Sequence, residues 1–212
     1  MQFIGAHLLH AGSHECKQFM GCDFTGADLR HASFARAYVP HACFLRASLN
    51  DAYFVDYMCR LTDFSGAVLK SSTARHSQFW SCNLEDVCFD GSDFTEATLL
   101  FESEFPRSSW KRIKLAGAAL RHSNLKASPF PDSEVYSAGL SGADLSDSTI
   151  IRCDLSEVGL VGANLQGSTL SELRVYGVSA WGIKGSPASQ GNLITNPWDQ
   201  ADLVVDDLEL AQ

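Results

Sequence analysis

The chain has 212 residues, of which 45% are hydrophobic and 19% charged, and its formal net charge is −9. This length suits one sizeable domain with short appendages, and the apolar content excludes an intrinsically disordered chain. No run of about 18 apolar residues is present, so we expect no membrane-spanning helix, and the acidic balance argues against direct binding of nucleic acid.

The first residues carry only a weak pattern. Residues 1–18 follow the periodicity of the later chain loosely, and we expect an N-terminal partial coil or cap there. The segment lacks the basic region and the unbroken apolar stretch of a signal peptide. The seven cysteines include no CxxC pair. The sequence therefore predicts reduced thiols in a cytoplasmic protein, with no metal site and no cofactor.

From Phe19 to Val175 an apolar residue, which we call the centre of a repeat, recurs at every fifth position. The series runs to Leu99, admits one additional residue and resumes at Phe105, for 32 centres in all. Two residues before the centre, 28 of 31 positions hold a small residue, and glycine recurs two residues after it. A period of five fits neither a helix nor a strand. It predicts a chain that turns a corner every five residues, with the centre and the small residue pointing inward.

Similar centres recur at every twentieth residue, as in Phe24, Phe44 and Phe64. This spacing indicates four sides per coil, and 32 centres then make 32/4 = 8 coils over residues 19–175. The additional residue between Leu99 and Phe105 predicts a one-residue bulge near 100–104.

Three segments carry a resemblance to a known family. GADLR (26–30), GADLS (142–146) and GANLQ (162–166) resemble the A(D/N)LxG signature of pentapeptide-repeat proteins. The resemblance implies an all-β fold, a right-handed quadrilateral β-helix with Leu or Phe and Ala or Ser stacked inside. One branch of that family protects DNA gyrase from toxins or fluoroquinolones and is thought to imitate duplex DNA with an acidic rod.

Two belts of opposite charge follow each other along the predicted rod. Residues 77–105 hold seven acids and no base, and residues 106–131 hold six bases and no acid. Because one coil takes 20 residues, these belts should be adjacent, and we expect either mutual screening or a role in partner binding. The basic belt interrupts the continuous negative field that mimicry of DNA needs. The belt residues singled out are Glu85, Asp86, Asp90, Asp93 and Glu96, and Arg107, Lys111, Arg112 and Lys114.

One side of the rod carries apolar residues outside as well as inside. It is centred on Phe19, Val39, Cys59, Phe79 and Leu99. Such a stripe predicts a face for a protein partner or for a homodimer, or else a face that a terminal segment covers. Its predicted outward residues are Met20, Tyr38, Pro40, Met58, Leu61, Trp80, Leu100 and Phe101.

After Val175 the five-residue pattern ends. Residues 176–212 are predicted to form a C-terminal cap or linker, with a loop over 179–192, a strand over 193–195 and a short helix beginning at Asp206. A helix at the end would also fit a chain that continues into another domain.

No sequence motif indicates catalysis. The aspartates that precede centres belong to the repeat, and we expect them to bond the backbone; the histidines that follow centres by two should be exposed corner residues. The sequence therefore favours a bacterial, cytoplasmic, non-enzymatic interaction scaffold. The alternatives are a DNA-mimicking protein that binds gyrase, and the repeat arm of a longer multidomain protein.

Overall fold

A ladder of parallel backbone pairings runs along the whole described part of the chain, which comprises residues 20–100, 103–197 and 202–208 of the computed structural model. Each partner lies 20 residues further on, except at four successive pairs, from Asn83–Glu104 to Thr98–Ala119, where the step is 21. One such ladder joins Asp23, Cys43, Asp63, Asn83, Glu104, Asn124, Asp144, Asn164 and Lys184. The chain is therefore a β-solenoid of stacked coils, as the period predicted.

Four ladders of this kind define four faces, which we name by their first described centre: the Phe24, Leu29, Phe34 and Val39 faces. Centres and small residues point inward and form one continuous core. Phe24, Phe44 and Phe64 stack with ring centroids 4.9 and 4.7 Å apart. Like residues stack on like residues because each coil repeats the path of the one before it.

The corners are β-turns. The amide of Ala27, for example, donates a hydrogen bond of 2.9 Å to the carbonyl of Phe24. The third residue of the turn has a positive φ, 63° at Gly26 and 58° at His31, a conformation that glycine adopts without cost. This explains why glycine recurs two residues after the centre, although many corners hold other residues.

Tyr57 is a large residue at a position that is usually small. It is fully buried, and the centre that follows it, Cys59, is small and also fully buried. The two exceptions compensate in volume, which keeps the interior close-packed.

Regular strands form on two of the four faces. On the Val39 face, β1 (Met58–Arg60), β2 (Gln78–Trp80) and β3 (Thr98–Leu100) pair in parallel. On the Leu29 face, β4 (Thr149–Ile151), β5 (Thr169–Arg174) and β6 (Ser189–Ile194) do the same, and β7 (Val204–Val205) joins β6 in antiparallel.

The solenoid continues past Val175, which differs from the predicted boundary. Ser179 and Lys184 pair with Gly159 and Asn164, within the segment expected to be a loop. The reason is that Val178 and Ala180 are still buried as a small residue and a centre would be. The strand expected over 193–195 overlaps the end of β6.

The helix expected to begin at Asp206 is wrong. Val204 and Val205 add a strand to the open edge of β6, which β-branched residues favour. The Asp206 carboxylate then accepts a hydrogen bond of 3.1 Å from the Asn192 amide, and no helix occurs among the described residues. The predicted cap over 1–18 and the residues after 208 lie outside the described ranges.

The additional residue between Leu99 and Phe105 shifts the register once. Pairings that span it have a step of 21, and later pairings return to 20. The centre of the expected bulge, residues 101–102, lies outside the described residues. The right-handed winding and the total of eight coils stay predictions.

Candidate interaction surface

The Val39 face exposes apolar side chains in its first coils. Met20, Tyr38 and Leu61 are 52%, 40% and 50% exposed. Tyr38 pairs with Met58 in the next coil, and the Met58 side chain is half-buried. These four residues lie on the outside of the rod, where the sequence placed them.

Other members of the predicted stripe are less exposed than the sequence predicted. Pro40 is buried, because its short ring lies in the column between Met20 and the long side chain of Arg60. Trp80 is half-buried, and its backbone pairs with Arg60 on one side and Leu100 on the other. The exposed Arg60 therefore interrupts the apolar column, which the sequence analysis did not count.

Two predicted members of the stripe cannot be placed as surface groups. The backbone of Leu100 belongs to β3, but its side chain and the whole of Phe101 lie outside the described residues.

The last coils of the same face carry an apolar pair that sequence reasoning missed. Val161 and Trp181 are 45% and 69% exposed, and the Gly162 amide donates to the Trp181 carbonyl across the two coils. The residues that precede the centres in these coils are Gly139, Gly159 and Ser179, which have small side chains or none. The Trp181 side chain therefore projects beyond them. The 20-residue spacing of Val161 and Trp181 could have indicated this pair. The sequence analysis missed it because it placed the end of the solenoid at Val175.

The two charge belts contact each other directly. Arg107 forms an ion pair with Glu85 and, through its Nε, a 2.9 Å contact with Asp86. Hydrogen bonds to Asp86 and Glu85 raise the pKa of the Arg107 guanidinium. The amide of Lys111 donates to Asp90 at 3.3 Å.

The remaining belt residues find partners in neighbouring coils. Asp93 lies 3.6 Å from Arg75, Glu96 lies 3.0 Å from His76, and Lys114 lies 4.0 Å from Glu134. The hydrogen bond from Arg152 is the main cause of the lowered pKa of Asp132, and the positive charge of Arg112 contributes to it. The two belts therefore contact each other through Arg107, whereas these other members pair with charges in the flanking coils. The pairs are largely solvent-exposed, where each contributes little to stability.

The aspartates before centres bond the backbone, as predicted. Each accepts a hydrogen bond from the amide two residues later, for instance 2.9 Å from Thr25 to Asp23 and 3.0 Å from Ser146 to Asp144. The other four do the same: Asp28, Asp63, Asp93 and Asp154. These carboxylates hold the corners.

The corner histidines are exposed and have φ values of 56° to 58°, as predicted: His31, His41, His76 and His122. The described residues contain no group of three or more His, Cys, Asp or Glu side chains that could hold a metal ion. The same ranges offer no helix with the length and hydropathy that a membrane crossing requires.

A groove of about 550 Å³ follows the corner between the Leu29 and Phe34 faces. Among its charged groups, Arg152 contacts Asp132 at 2.6 Å and Arg174 contacts the Asn196 carbonyl at 2.9 Å. The hydroxyl of Ser133 and the thiol of Cys153, which also line the groove, donate hydrogen bonds to the carbonyls of Trp110 and Phe130.

Comparison with known proteins gives a consistent result. The sequence profile described as pentapeptide repeats matches in eight copies, over residues 18–54, 62–99 and 138–172. No curated protein matches the chain.

Solved structures share the architecture. Trypsin-treated QnrB1, a plasmid-mediated fluoroquinolone resistance protein, is 19% identical with a TM-score of 0.50, and the match covers 79% of this chain and 78% of that one. HetL, a protein involved in heterocyst differentiation regulation from the cyanobacterium Nostoc sp. strain PCC 7120, is 18% identical with a TM-score of 0.43, covering 92% of this chain and 90% of HetL. At these identities the likeness to QnrB1 concerns the fold alone.

Proposed function

We propose, from the premise that this chain belongs to the pentapeptide-repeat family, that it is a non-enzymatic interaction module that binds a protein partner or a second copy of itself through the Val39 face. Proteins of this family are generally structural or interaction proteins. The odd number of cysteines without a CxxC pair supports a reducing, cytoplasmic setting.

The observation that carries the proposal is the exposure of large apolar side chains on this face near both ends of the described rod. Met20, Tyr38 and Leu61 lie in the first described coils, and Val161 and Trp181 lie in the last ones. Methionine and aromatic side chains are enriched at protein interfaces because they bury a large area on association. No charged residue occupies positions 139–142, 159–162 or 179–182 of this face, although the side chain of Arg121 lies beside Gly139. Docking around Val161 and Trp181 therefore requires less desolvation of charge than docking beside Gly139.

The charge belts bear on the kind of partner that this module binds. Because the basic belt lies in the middle of the rod and Arg107 pairs with both Glu85 and Asp86, we expect no continuous acidic field there. This weighs against mimicry of DNA and against gyrase as the partner, since a groove built for phosphates needs a continuous line of negative charge.

The test compares two tyrosines at the same place in the repeat. Tyr38 on the Val39 face is 40% exposed, and Tyr53 on the Phe34 face is 52% exposed; each immediately precedes a centre. We expect Tyr38→Asp to weaken self-association in sedimentation velocity, or the capture of specific proteins on immobilised protein, by at least tenfold. Tyr53→Asp is the matched control and should behave as wild type.

Far-UV circular dichroism shows whether both variants keep the fold. Equal behaviour of the two variants would refute the Val39 face as the binding surface. Inhibition of gyrase supercoiling by the wild type would instead revive mimicry of DNA.

A further inference from the structure

A regular contact links neighbouring coils inside the solenoid. Several small inward hydroxyl residues donate a hydrogen bond to the carbonyl of the centre 23 residues earlier, as in Thr62 to Val39 at 3.1 Å and Ser128 to Phe105 at 2.9 Å. Where the pair spans the additional residue the separation becomes 24, as in Ser123 to Leu99 at 3.1 Å. The fold therefore holds the small residue of one coil against the centre of the coil before it.

Cys59 and Cys82 are the one pair of cysteines in the sequence with this separation of 23. Cys59 is a centre and Cys82 is a small residue, and their exposed fractions are 0% and 1%. The two sulfur atoms lie 3.4 Å apart. The repeat geometry thus brings two thiols into contact across adjacent coils, although 22 residues separate them in the chain.

The other described cysteines have different surroundings. The thiol of Cys153 donates a hydrogen bond of 2.6 Å to the Phe130 carbonyl. Cys43 contacts the Thr25 hydroxyl at 3.2 Å, and Cys88 is half-buried on the Leu29 face. The sulfurs of Cys59 and Cys82, by contrast, contact each other directly.

We propose that Cys59 and Cys82 form an oxidative modification site at which a peroxide joins two neighbouring coils by a disulfide bond. One thiol attacks hydrogen peroxide, an O–O bond breaks, and a sulfenic acid and water result. The second thiol then attacks the sulfenic sulfur, an S–S bond forms, and a second water leaves. The two thiols lose two protons and two electrons, which reduce the peroxide to water.

The site selects the oxidant by size. Burial raises the pKa of the Cys59 thiol well above its usual value, so the reactive thiolate is scarce in the folded protein. A bulky disulfide cannot reach thiols that are fully buried, whereas peroxide is small and uncharged. The reaction should therefore be slow in the folded protein, and the 3.4 Å contact between the two sulfurs favours a disulfide between these two residues once one of them is oxidised.

The bond should also strengthen the rod. A disulfide restricts the unfolded chain, and for a closed loop of this size we expect the midpoint temperature of unfolding to rise by about 5–10 °C.

The experiment treats the folded full chain with hydrogen peroxide, blocks residual thiols in denaturant and digests with trypsin. Cys59 then lies in the peptide 47–60, and Cys82 lies with Cys88 in the peptide 76–107. Cys82→Ser should fold, because serine occupies the equivalent inward position at Ser103, Ser108 and Ser123. Cys88→Ser is the matched control that removes the neighbouring thiol.

We expect the linked pair of peptides and the rise in midpoint temperature in the wild type and in Cys88→Ser, and neither in Cys82→Ser. Retention of the linked peptides in Cys82→Ser would overturn the proposal. So would a wild type in which Cys43 or Cys88 is oxidised while Cys59 and Cys82 stay reduced, or a cross-link that forms only when oxidation is carried out in urea.

Discussion

Replacing Phe44 by alanine tests whether the stacked centres hold the solenoid together. Phe44 is fully buried, lies between Phe24 and Phe64 in one stack, and meets Phe34 edge-on at 5.6 Å and 83°. Truncation of a buried phenylalanine costs about 3–5 kcal/mol of the free energy of unfolding. Aromatic pairs add about 0.5–1.5 kcal/mol each beyond buried area, so we expect the upper part of that range, about 4–5 kcal/mol.

Urea denaturation followed by far-UV circular dichroism measures this loss. Phe44→Leu is the companion variant, because leucine is the centre at Leu49 and Leu69 and keeps most of the buried area. It should cost about 1–2 kcal/mol and remain folded even if the alanine variant does not. A cost below about 2 kcal/mol for alanine, with an unchanged dependence on urea, would refute the stack as a main source of stability.

The remaining predictions concern acid and the corners. The hydrogen bond from Arg30 lowers the pKa of Asp28. The stabilisation that the Asp28 carboxylate gives is therefore complete above about pH 4 and is lost as the pH falls through the lowered pKa. The urea midpoint should fall less steeply between pH 5 and 3 in Asp28→Asn than in the wild type. At Gly162, where φ is 69° and no heavy atom lies within 4 Å of an added Cβ, Gly162→Ala should lower the free energy of unfolding by about 1–2 kcal/mol through backbone strain alone. Ser71→Gly, at a φ of 55°, should change it in the opposite sense by less, and an equal loss in both variants in thermal unfolding would contradict the strain argument.

The five-residue period determined much of the fold because each repeat is locally complete. The centre, the small residue, the aspartate that bonds the amide two residues later and the residue at the corner all lie within five positions. Asp23 and His31, for example, could be assigned from these positions alone, and the structure confirms both.

The candidate surface was predictable only in part, because the exposure of an outward side chain depends on its neighbours in the adjacent coils. Tyr38 and Leu61 are exposed as expected, whereas Pro40 is buried beside Arg60. Trp181 was missed because the last coil keeps the geometry of the repeat after its sequence signature has weakened.

By itself, the sequence determined that this chain winds into a repeating solenoid with an apolar interior, because burial of two residues in every five is a local property. Only the tertiary structure decided which side chains meet across coils. The contact of Cys59 with Cys82 and the ion pairs of Arg107 depend on a register of 21 to 23 residues. The one additional residue between Leu99 and Phe105 shifts that register by one. The five positions of a single repeat carry no information about the register.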